Sequence, residues 1–465
     1  MKKNKLVITL IIVAIIAFNA SSPTNAASKP SSKPLRATVE DYRLQYINKD
    51  WWDKFNDPVL KQYILKAVSN NYDLKIISLR VKQAGESARE SLGREFPTLD
   101  INGDFSRRKT SENVSMGSFK IRSYSQNSYN FPIIANYELD LWLKNRDKTL
   151  SMKKQLESAI YDEKTAYIAL CSEVAGNYFN LVSTDKQLQL QEEIINLRKE
   201  ILELTKESYN LGLYSASEVT QADKAYTEAQ SVFNDLKKAQ AILLNHLAVL
   251  TGESSNDSSR LDRESIDRID LLKSPPESLN SDIVRERPDI LKAEAQLQKA
   301  KIDVKIARKD FLPEFSIIGQ FGFNANSLSK VFNWNSYVSS IGVNLFQGLF
   351  SGGQRSARLK LKKYQYDEML NSYQKTILTS FQEVNDSLAS LKFDYIKNND
   401  TIKRIEDEKE NFRIINNKYT YGAISYLDTL QYKERLISLE KEQIQNKTLC
   451  LIDLLSLYKS AGGKL

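Results

Sequence analysis

The 465-residue sequence has one histidine, His246, and two cysteines, Cys171 and Cys450. One imidazole is too few for a histidine-based metal or proton-transfer site, so His246 reads as an ordinary helix residue and no cofactor or metal is expected. Each cysteine falls within a helical pattern, where a small buried hydrophobe is expected rather than a disulfide. Proline is missing from residues 133 to 274 and from 314 to 465, and glycine is missing from Gln354 to Tyr421. Such tracts suit very long helices. Beyond the N-terminus no apolar run reaches the 18 or so residues of a spanning helix, and the mean hydropathy is −0.44. A helical membrane bundle is thereby excluded, whereas a β-barrel, with its alternating faces, is not.

The N-terminus departs from this pattern. Lys2, Lys3 and Lys5 precede an apolar stretch from Leu6 to Phe18, and Thr24-Asn25-Ala26 supplies small residues for cleavage. Residues 1–26 read as a secretory signal peptide, too short in its apolar core to span a membrane, and 27–50 as an N-terminal arm. Removing those three lysines lowers the net charge from +8 to +5. So mild a surplus implies no nucleic-acid partner.

The chain is written twice. Tyr72-Asp73, Ala84 and Phe96-Pro97-Thr98-Leu99 return 216 positions later as Pro288-Asp289, Ala300 and Leu312-Pro313-Glu314-Phe315. Glu173-Val174 and Tyr209-Asn210-Leu211-Gly212 return 210 positions later as Glu383-Val384 and Tyr419-Thr420-Tyr421-Gly422. The expected division is a first repeat over 51–252, a polar linker or equatorial segment over 253–284 and a second repeat over 285–465. A heptad seam runs through Ile377, Phe381, Val384, Leu388, Leu391, Tyr395, Ile402, Ile405, Phe412 and Tyr419. Its counterpart 210 positions earlier holds Tyr167, Cys171, Val174, Tyr178, Leu181, Leu188, Ile195, Leu202 and Tyr209. A sustained 3.5-residue period drives left-handed winding of neighbouring helices.

Four segments alternate apolar and polar residues instead. Strands are expected at about 98–106, 128–139, 314–324 and 334–346, one hairpin per repeat, with long polar loops over 107–127 and 324–333. Strands of this length with aromatic ends match an outer-membrane barrel. Four strands in lipid leave two edges of unpaired amides, each exposed group costing several kcal/mol, so the sheet must close with strands of other copies. Two chains would give eight strands and a filled interior; three would give twelve and room for a channel. The fold class expected from the residues is a duplicated unit, mainly α with a transmembrane β section of four strands per chain.

These residues resemble the outer-membrane factors of tripartite efflux pumps, particularly the branch serving resistance-nodulation-division transporters. The likeness runs from Trp51 to about Tyr458. It rests on Trp51-Trp52-Asp53-Lys54-Phe55-Asn56-Asp57-Pro58, Tyr137-Glu138-Leu139-Asp140-Leu141-Trp142, Arg285-Glu286-Arg287-Pro288-Asp289-Ile290 and Glu383-Val384-Asn385-Asp386-Ser387-Leu388. The resemblance implies a homotrimer whose four strands per chain form a twelve-stranded trimeric β-barrel in outer-membrane lipid, continuing into a long periplasmic α-helical barrel, and working with a periplasmic adaptor protein and an inner-membrane transporter. Two departures stand out: Asn56 replaces a glycine frequent in the family, and no lipid-accepting cysteine lies near Ala26 and Ala27.

A passive conduit needs no nucleophile, so no catalytic residue is expected. Gly212, Ser215 and Glu218 in one repeat, and Gly422, Ser425 and Asp428 in the other, read as helix-turn-helix tips in which glycine ends one helix and a capping box starts the next. By the resemblance these tips form the periplasmic mouth where the adaptor docks, and Asp428 aligns with an acidic ring of the pore constriction. Gln431 stands where some relatives carry a second acid, and Ile424 where some carry a basic latch. Trp51 and Trp52 are expected to pack the N-terminal arm against the body, and Ser351-Gly352-Gly353 to form a strand-to-helix turn rather than a phosphate loop. The function implied is an exit channel for drugs or other small toxic compounds. A type I protein-secretion channel and a non-conducting trimeric coiled coil are the alternatives.

Overall fold

The structure, a computed structural model, describes residues 51–111, 113, 115–116, 119–120, 123–254, 262–271, 274, 276 and 281–464. The signal peptide, the arm and much of the 253–284 linker lie outside the described residues.

A short 3-10 turn, Trp51–Phe55, leads into α1 (Pro58–Asn70). Asp57 caps it, its Oδ1 accepting from the amides of Val59 and Leu60, while Pro58 occupies the first turn, where its missing N–H costs nothing. Then follow α2 (Tyr72–Gly93), the first hairpin, α3 (Lys144–Asn210) and α4 (Ala216–Leu250). After a five-residue α5 (Ser281–Arg285) come α6 (Pro288–Lys309), the second hairpin, α7 (Gln354–Thr420) and α8 (Tyr426–Ser460). The duplication is metrically strict: α2 and α6 are 22 residues each, α3 and α7 are 67, and α4 and α8 are 35. At 1.5 Å per residue the 67-residue helices run about 100 Å. The α2-to-α6 offset of 216 becomes 210 beyond the hairpins because the second hairpin's loop is shorter.

Packing breaks the symmetry between the copies. Helix α3 touches α1, α2, α4, α6 and α8, whereas α7 touches α6, α8 and the short α5. The α3 seam is accordingly sealed at Cys171, Val174, Tyr178, Leu181, Leu188 and Leu202. On α7 only one register of the seam is buried, at Val384, Leu391 and Ile405, with Asn398 in line between the last two. The other register, at Phe381 and Ile402, is about 39% exposed, and Leu378 and Phe393 are 72% and 65% exposed. The core is an aromatic knot in which Trp51 stacks on Tyr458 at 3.9 Å and Phe55 meets Phe179 at 5.0 Å. Trp51 and Trp52 are both buried there, anchoring the start of the described chain between the two repeats.

The sheet is antiparallel, in the order β1 (Thr98–Ile101), β5 (Ser125–Leu139), β6 (Glu314–Ala325), β7 (Tyr337–Phe346), with β2 (Asp104–Lys109) continuing β1 along β5. A two-residue pair, β3 (Ser115–Met116) and β4 (Phe119–Lys120), closes the first loop. Three sequence expectations are corrected. The strand read as 98–106 is interrupted at Asn102-Gly103 and then extends to Lys109, because Asn102 faces Pro132: its N–H donates to the proline carbonyl, but proline has no N–H to return. The strand read from 128 starts at Ser125, so the first loop is shorter than 107–127. The strand read from 334 starts at Tyr337, since Trp334–Ser336 wind into a 3-10 turn capped by the Asn333 side chain.

Candidate functional site: a two-faced sheet, a charged neck and two helical tips

Alternation gives the sheet opposite faces. Leu99, Ile101, Phe105, Tyr129, Phe131, Ile133, Phe315, Ile317, Phe321, Phe323, Ile341, Val343 and Leu345 share one face through the observed register. No other part of the described chain covers much of it: Leu99, Ile101, Ile341 and Val343 are 72–82% exposed. The opposite face carries Asp100, Asn102, Asp104, Asn130, Asn136, Glu138, Ser316, Gln320, Ser340 and Asn344, with Pro132, Ile134, Ile318, Val338 and Phe346 as apolar exceptions. Toward the loops, Phe131, Phe323, Phe332, Trp334 and Tyr337 make a chain of ring contacts.

Where sheet becomes helix, both copies pass through the left-handed region. The second uses Gly352 and Gly353 at φ 57° and 82°, so Ser351-Gly352-Gly353 forms a strand-to-helix turn. The first uses Leu143 at φ 58°, a conformation unfavourable for leucine that its surroundings must hold. Asp140 does this by accepting from the amides of Lys144 and Arg146 at 2.6 and 2.9 Å. Lys144 in turn bridges Asp310 and Glu314 at 3.0 and 2.8 Å, and Lys309 pairs with Asp147 at 2.7 Å. These ion pairs join the ends of both hairpins into one neck, and the exposed Trp142 donates its indole N–H to the Pro313 carbonyl.

At the far end the tips have the geometry expected of their sequence. Gly212 and Gly422 take φ 72° and 73°, and the next residues, Leu213 and Ala423, donate to the carbonyls of Ser208 and Lys418 at 2.9 Å. That is the six-to-one bond that closes a helix on glycine. Glu218 accepts from the Ser215 amide at 2.6 Å. Asp428 accepts from the Ser425 amide at 3.2 Å and hydroxyl at 2.7 Å, while the Ser425 Oγ accepts from the Asp428 amide at 3.1 Å. Gly212, Ser215, Glu218, Gly422, Ser425, Asp428 and Gln431 are all exposed. Asp428 and Gln431 lie three residues apart on one side of α8.

The two tips lie at the same end. Tyr426 reaches across to Glu200 of α3 at 2.9 Å and lies 5.3 Å from Tyr419, and Arg198 pairs with Glu434 at 2.8 Å. Sequence reasoning missed these cross-repeat ties because the partners lie more than 200 residues apart. It also missed the apolar dress of the tips: Leu211, Leu213 and Tyr421 are 72–87% exposed. His246 lies between Asn177 and Glu173 at 3.1 and 3.3 Å, a polar contact on a helix face. Among the described residues no group of three or more His, Cys, Asp or Glu is arranged to hold a metal, and no helix is long and apolar enough to cross a membrane.

The profile of the outer membrane efflux protein family matches residues 64–253 and 279–463, one segment in each repeat. The chain is 30% identical over 438 residues to the toluene efflux pump outer membrane protein TtgC of Pseudomonas putida, covering 92% of this chain and 88% of that one. It is 25% identical over 426 residues to the cation efflux system protein CusC of Escherichia coli, covering 90% and 89%. In three dimensions it superposes on the CmeC outer membrane channel of Campylobacter jejuni with a TM-score of 0.82 at 24% identity, covering 95% of this chain and 93% of that one. The chain therefore belongs to the outer membrane efflux protein family, an efflux channel seated in the outer membrane by its β-strands and carrying its long helices on the periplasmic side.

Proposed function

We propose that three copies assemble into a twelve-stranded barrel continued by a helical tunnel. In this arrangement the channel passively conducts drugs or other small toxic compounds handed over by an inner-membrane transporter through a periplasmic adaptor. The observation that carries this reading is the sheet itself. It has one apolar face, one mainly polar face and two edges that no strand among the described residues pairs, while the long helices run far past it and leave its apolar face uncovered. In hydrocarbon such edges must be paired, and three four-stranded sheets leave a lumen wide enough for solutes. The exposed apolar residues of α7, Leu378 and Phe393 among them, are the helical counterpart, a seam that a neighbouring copy would seal.

The tips are the mouth of this tunnel. Leu211, Leu213 and Tyr421 offer apolar knobs beside the glycine turns for adaptor helices, and Asp428 from three copies forms an acidic ring. With Gln431 and Ile424 in place of further charges, the ring has fewer electrostatic links holding it shut. Strains lacking the gene should become susceptible to toxic compounds while still secreting proteins, and the purified protein should conduct in planar bilayers. A non-conducting preparation, or a secretion defect with unchanged susceptibility, would overturn the reading.

A further inference from the structure

The two hairpins have one internal register. Leu99 faces Ala135 and Ile101 faces Ile133 in the first; Phe315 faces Leu345 and Ile317 faces Val343 in the second. First strands are therefore related by 216 positions and second strands by 210, the same offsets that relate the helices. Between the hairpins, β5 meets β6 with Leu139 opposite Phe315, Ala135 opposite Gly319 and Ile133 opposite Phe321. The remaining edges, β7 and the β1–β2 line, are the repeat-equivalents of β5 and β6.

Resting on the trimeric barrel proposed above, we infer that β7 pairs antiparallel with the β1–β2 line of a second copy of this chain in the register set by the junction within the chain. Leu349 then faces Leu99, Leu345 faces Gly103 and Val343 faces Phe105 on the lipid side. Asn344 faces Asp104 and Gly342 faces Ser106 on the water side.

Three independent features agree. The register pairs odd with odd residues, so the apolar outer face continues across the joint, whereas a slip of one residue would turn each strand over. The strand ends agree as well: β5 runs three residues past Asn136, which faces the first residue of β1, because β6 supports it there, but β7 stops at Phe346, the last residue its own hairpin supports. The next residues, Gln347 to Leu349, are the equivalents of Tyr137 to Leu139 and would be drawn into strand by the neighbour's Leu99 to Ile101. This accounts for Leu349, at 93% exposed, being the barest large apolar side chain described. Finally, Gly103 is covered from one side by the Phe131 ring, 3.0 Å from where a Cβ would sit, and Leu345 would cover it from the other.

The bond pattern selects the probe. The Asn102 amide points toward β5, so the N–H and C=O groups of even residues in this line face inward and those of odd residues face the joint. Even pairs across the joint are then non-hydrogen-bonded pairs, about 4.5 Å apart at Cα, which suits a disulfide. Gly342 accepts a side chain, since a Cβ there meets nothing within 4 Å, and the native Cys171 and Cys450 are buried. In the full-length protein oxidised in detergent, Ser106→Cys with Gly342→Cys should yield covalent oligomers on non-reducing gels. The yield should be on the order of tenfold above that of Ser106→Cys with Ser340→Cys or with Asn344→Cys, whose partners would be diagonal neighbours roughly 7–8 Å apart. Asp104→Cys with Asn344→Cys is a second pair in the same register. Stronger linking by either displaced pair, or no linking in a protein that remains trimeric by native mass, would overturn the register and leave the trimer standing. A monomeric mass would overturn both.

Discussion

Arg287 donates from Nη1 to the backbone carbonyl of Ser460 at 2.9 Å, tying the start of α6 to the end of α8. The first repeat makes the same tie with a different residue: Asn71, 216 positions earlier, donates from Nδ2 to the carbonyl of Leu250, 210 positions before Ser460, at 3.1 Å. Both bonds satisfy a C-terminal carbonyl that the helix itself leaves open. In both copies a glycine follows two residues later, Gly252 at φ 74° and Gly462 at φ 67°, and a Cβ there would crowd Asn70 or Arg287.

Arg287 does more than Asn71, because it also pairs with Asp289 at 2.7 Å and Glu383 at 2.6 Å while its own side chain is 7% exposed. Burial pulls its pKa down, but hydrogen bonds and attraction from the two carboxylates outweigh that and raise it, so the cation persists at all working pH. Arg287→Met leaves two carboxylates facing each other and should cost about 2–4 kcal/mol, below the limit for a fully buried pair because Glu383 is half-exposed. Asn71→Ala removes the bond to Leu250 and also the cap of α2, where the Asn71 Oδ1 accepts from the Leu74 amide at 3.0 Å, and should cost about 1–2 kcal/mol. Thermal dissociation of the purified oligomer should rank the variants in that order, and equal losses would mean that the carboxylates add nothing.

A carboxyl pair makes stability depend on pH. Burial first, then a hydrogen bond with and repulsion from Asp394, push the Asp453 carboxyl from 3.8 up to about 7. Two ionised carboxylates are both acceptors, so their contact is a hydrogen bond only while one carries a proton. The folded chain thus holds a proton that the unfolded chain releases between pH 3.8 and about 7. The stabilisation is full below that window and is lost as pH rises through about 7. Because the site is partly wet, the swing is reduced by solvent screening to roughly 1–2 kcal/mol. Melting curves at pH 5 and 8 should show the wild-type less stable at pH 8, and Asp453→Asn should flatten the difference.

Much of this architecture is legible in the sequence, for local reasons. The missing prolines, the glycines at 212 and 422 and the Ser-x-x-acid boxes act within one or two helical turns, so the tips can be read directly. The strand alternation is local too. What escapes is set by partners far away in sequence: the break at Asn102 depends on Pro132, and the burial of one α7 register but not the other depends on α3 claiming the centre. The tie from Tyr426 to Glu200 belongs with these, since nothing within a turn of either residue announces it.

The sheet predicts a contrast between two glycines. Gly322 lies against the backbone of Phe131 and Pro132, where any Cβ would collide with main chain, whereas Gly342 has open space. Gly322→Val should prevent β5 and β6 from pairing and abolish the heat-modifiable band of the folded barrel on gels, and Gly342→Ala should leave it unchanged. Tolerance of valine at 322 would mean that the β5–β6 junction is not as close as described.

Asp428 holds two roles that substitution can separate. Its carboxylate accepts from the Ser425 amide and hydroxyl, so it is part of the cap, and in the proposed trimer it is also the charge of the ring. Asp428→Asn keeps an acceptor and removes the charge; Ser425→Ala keeps the charge and removes the hydroxyl that closes the box, at about 1 kcal/mol of local helix stability. In single-channel recordings Asp428→Asn should lower cation selectivity and weaken block by divalent ions several-fold, since a ring of like charges concentrates counter-ions at the mouth. Ser425→Ala should leave selectivity intact and raise gating noise as the tip frays. If the two variants change selectivity alike, the effect comes from the shape of the tip and Asp428 acts only as a cap.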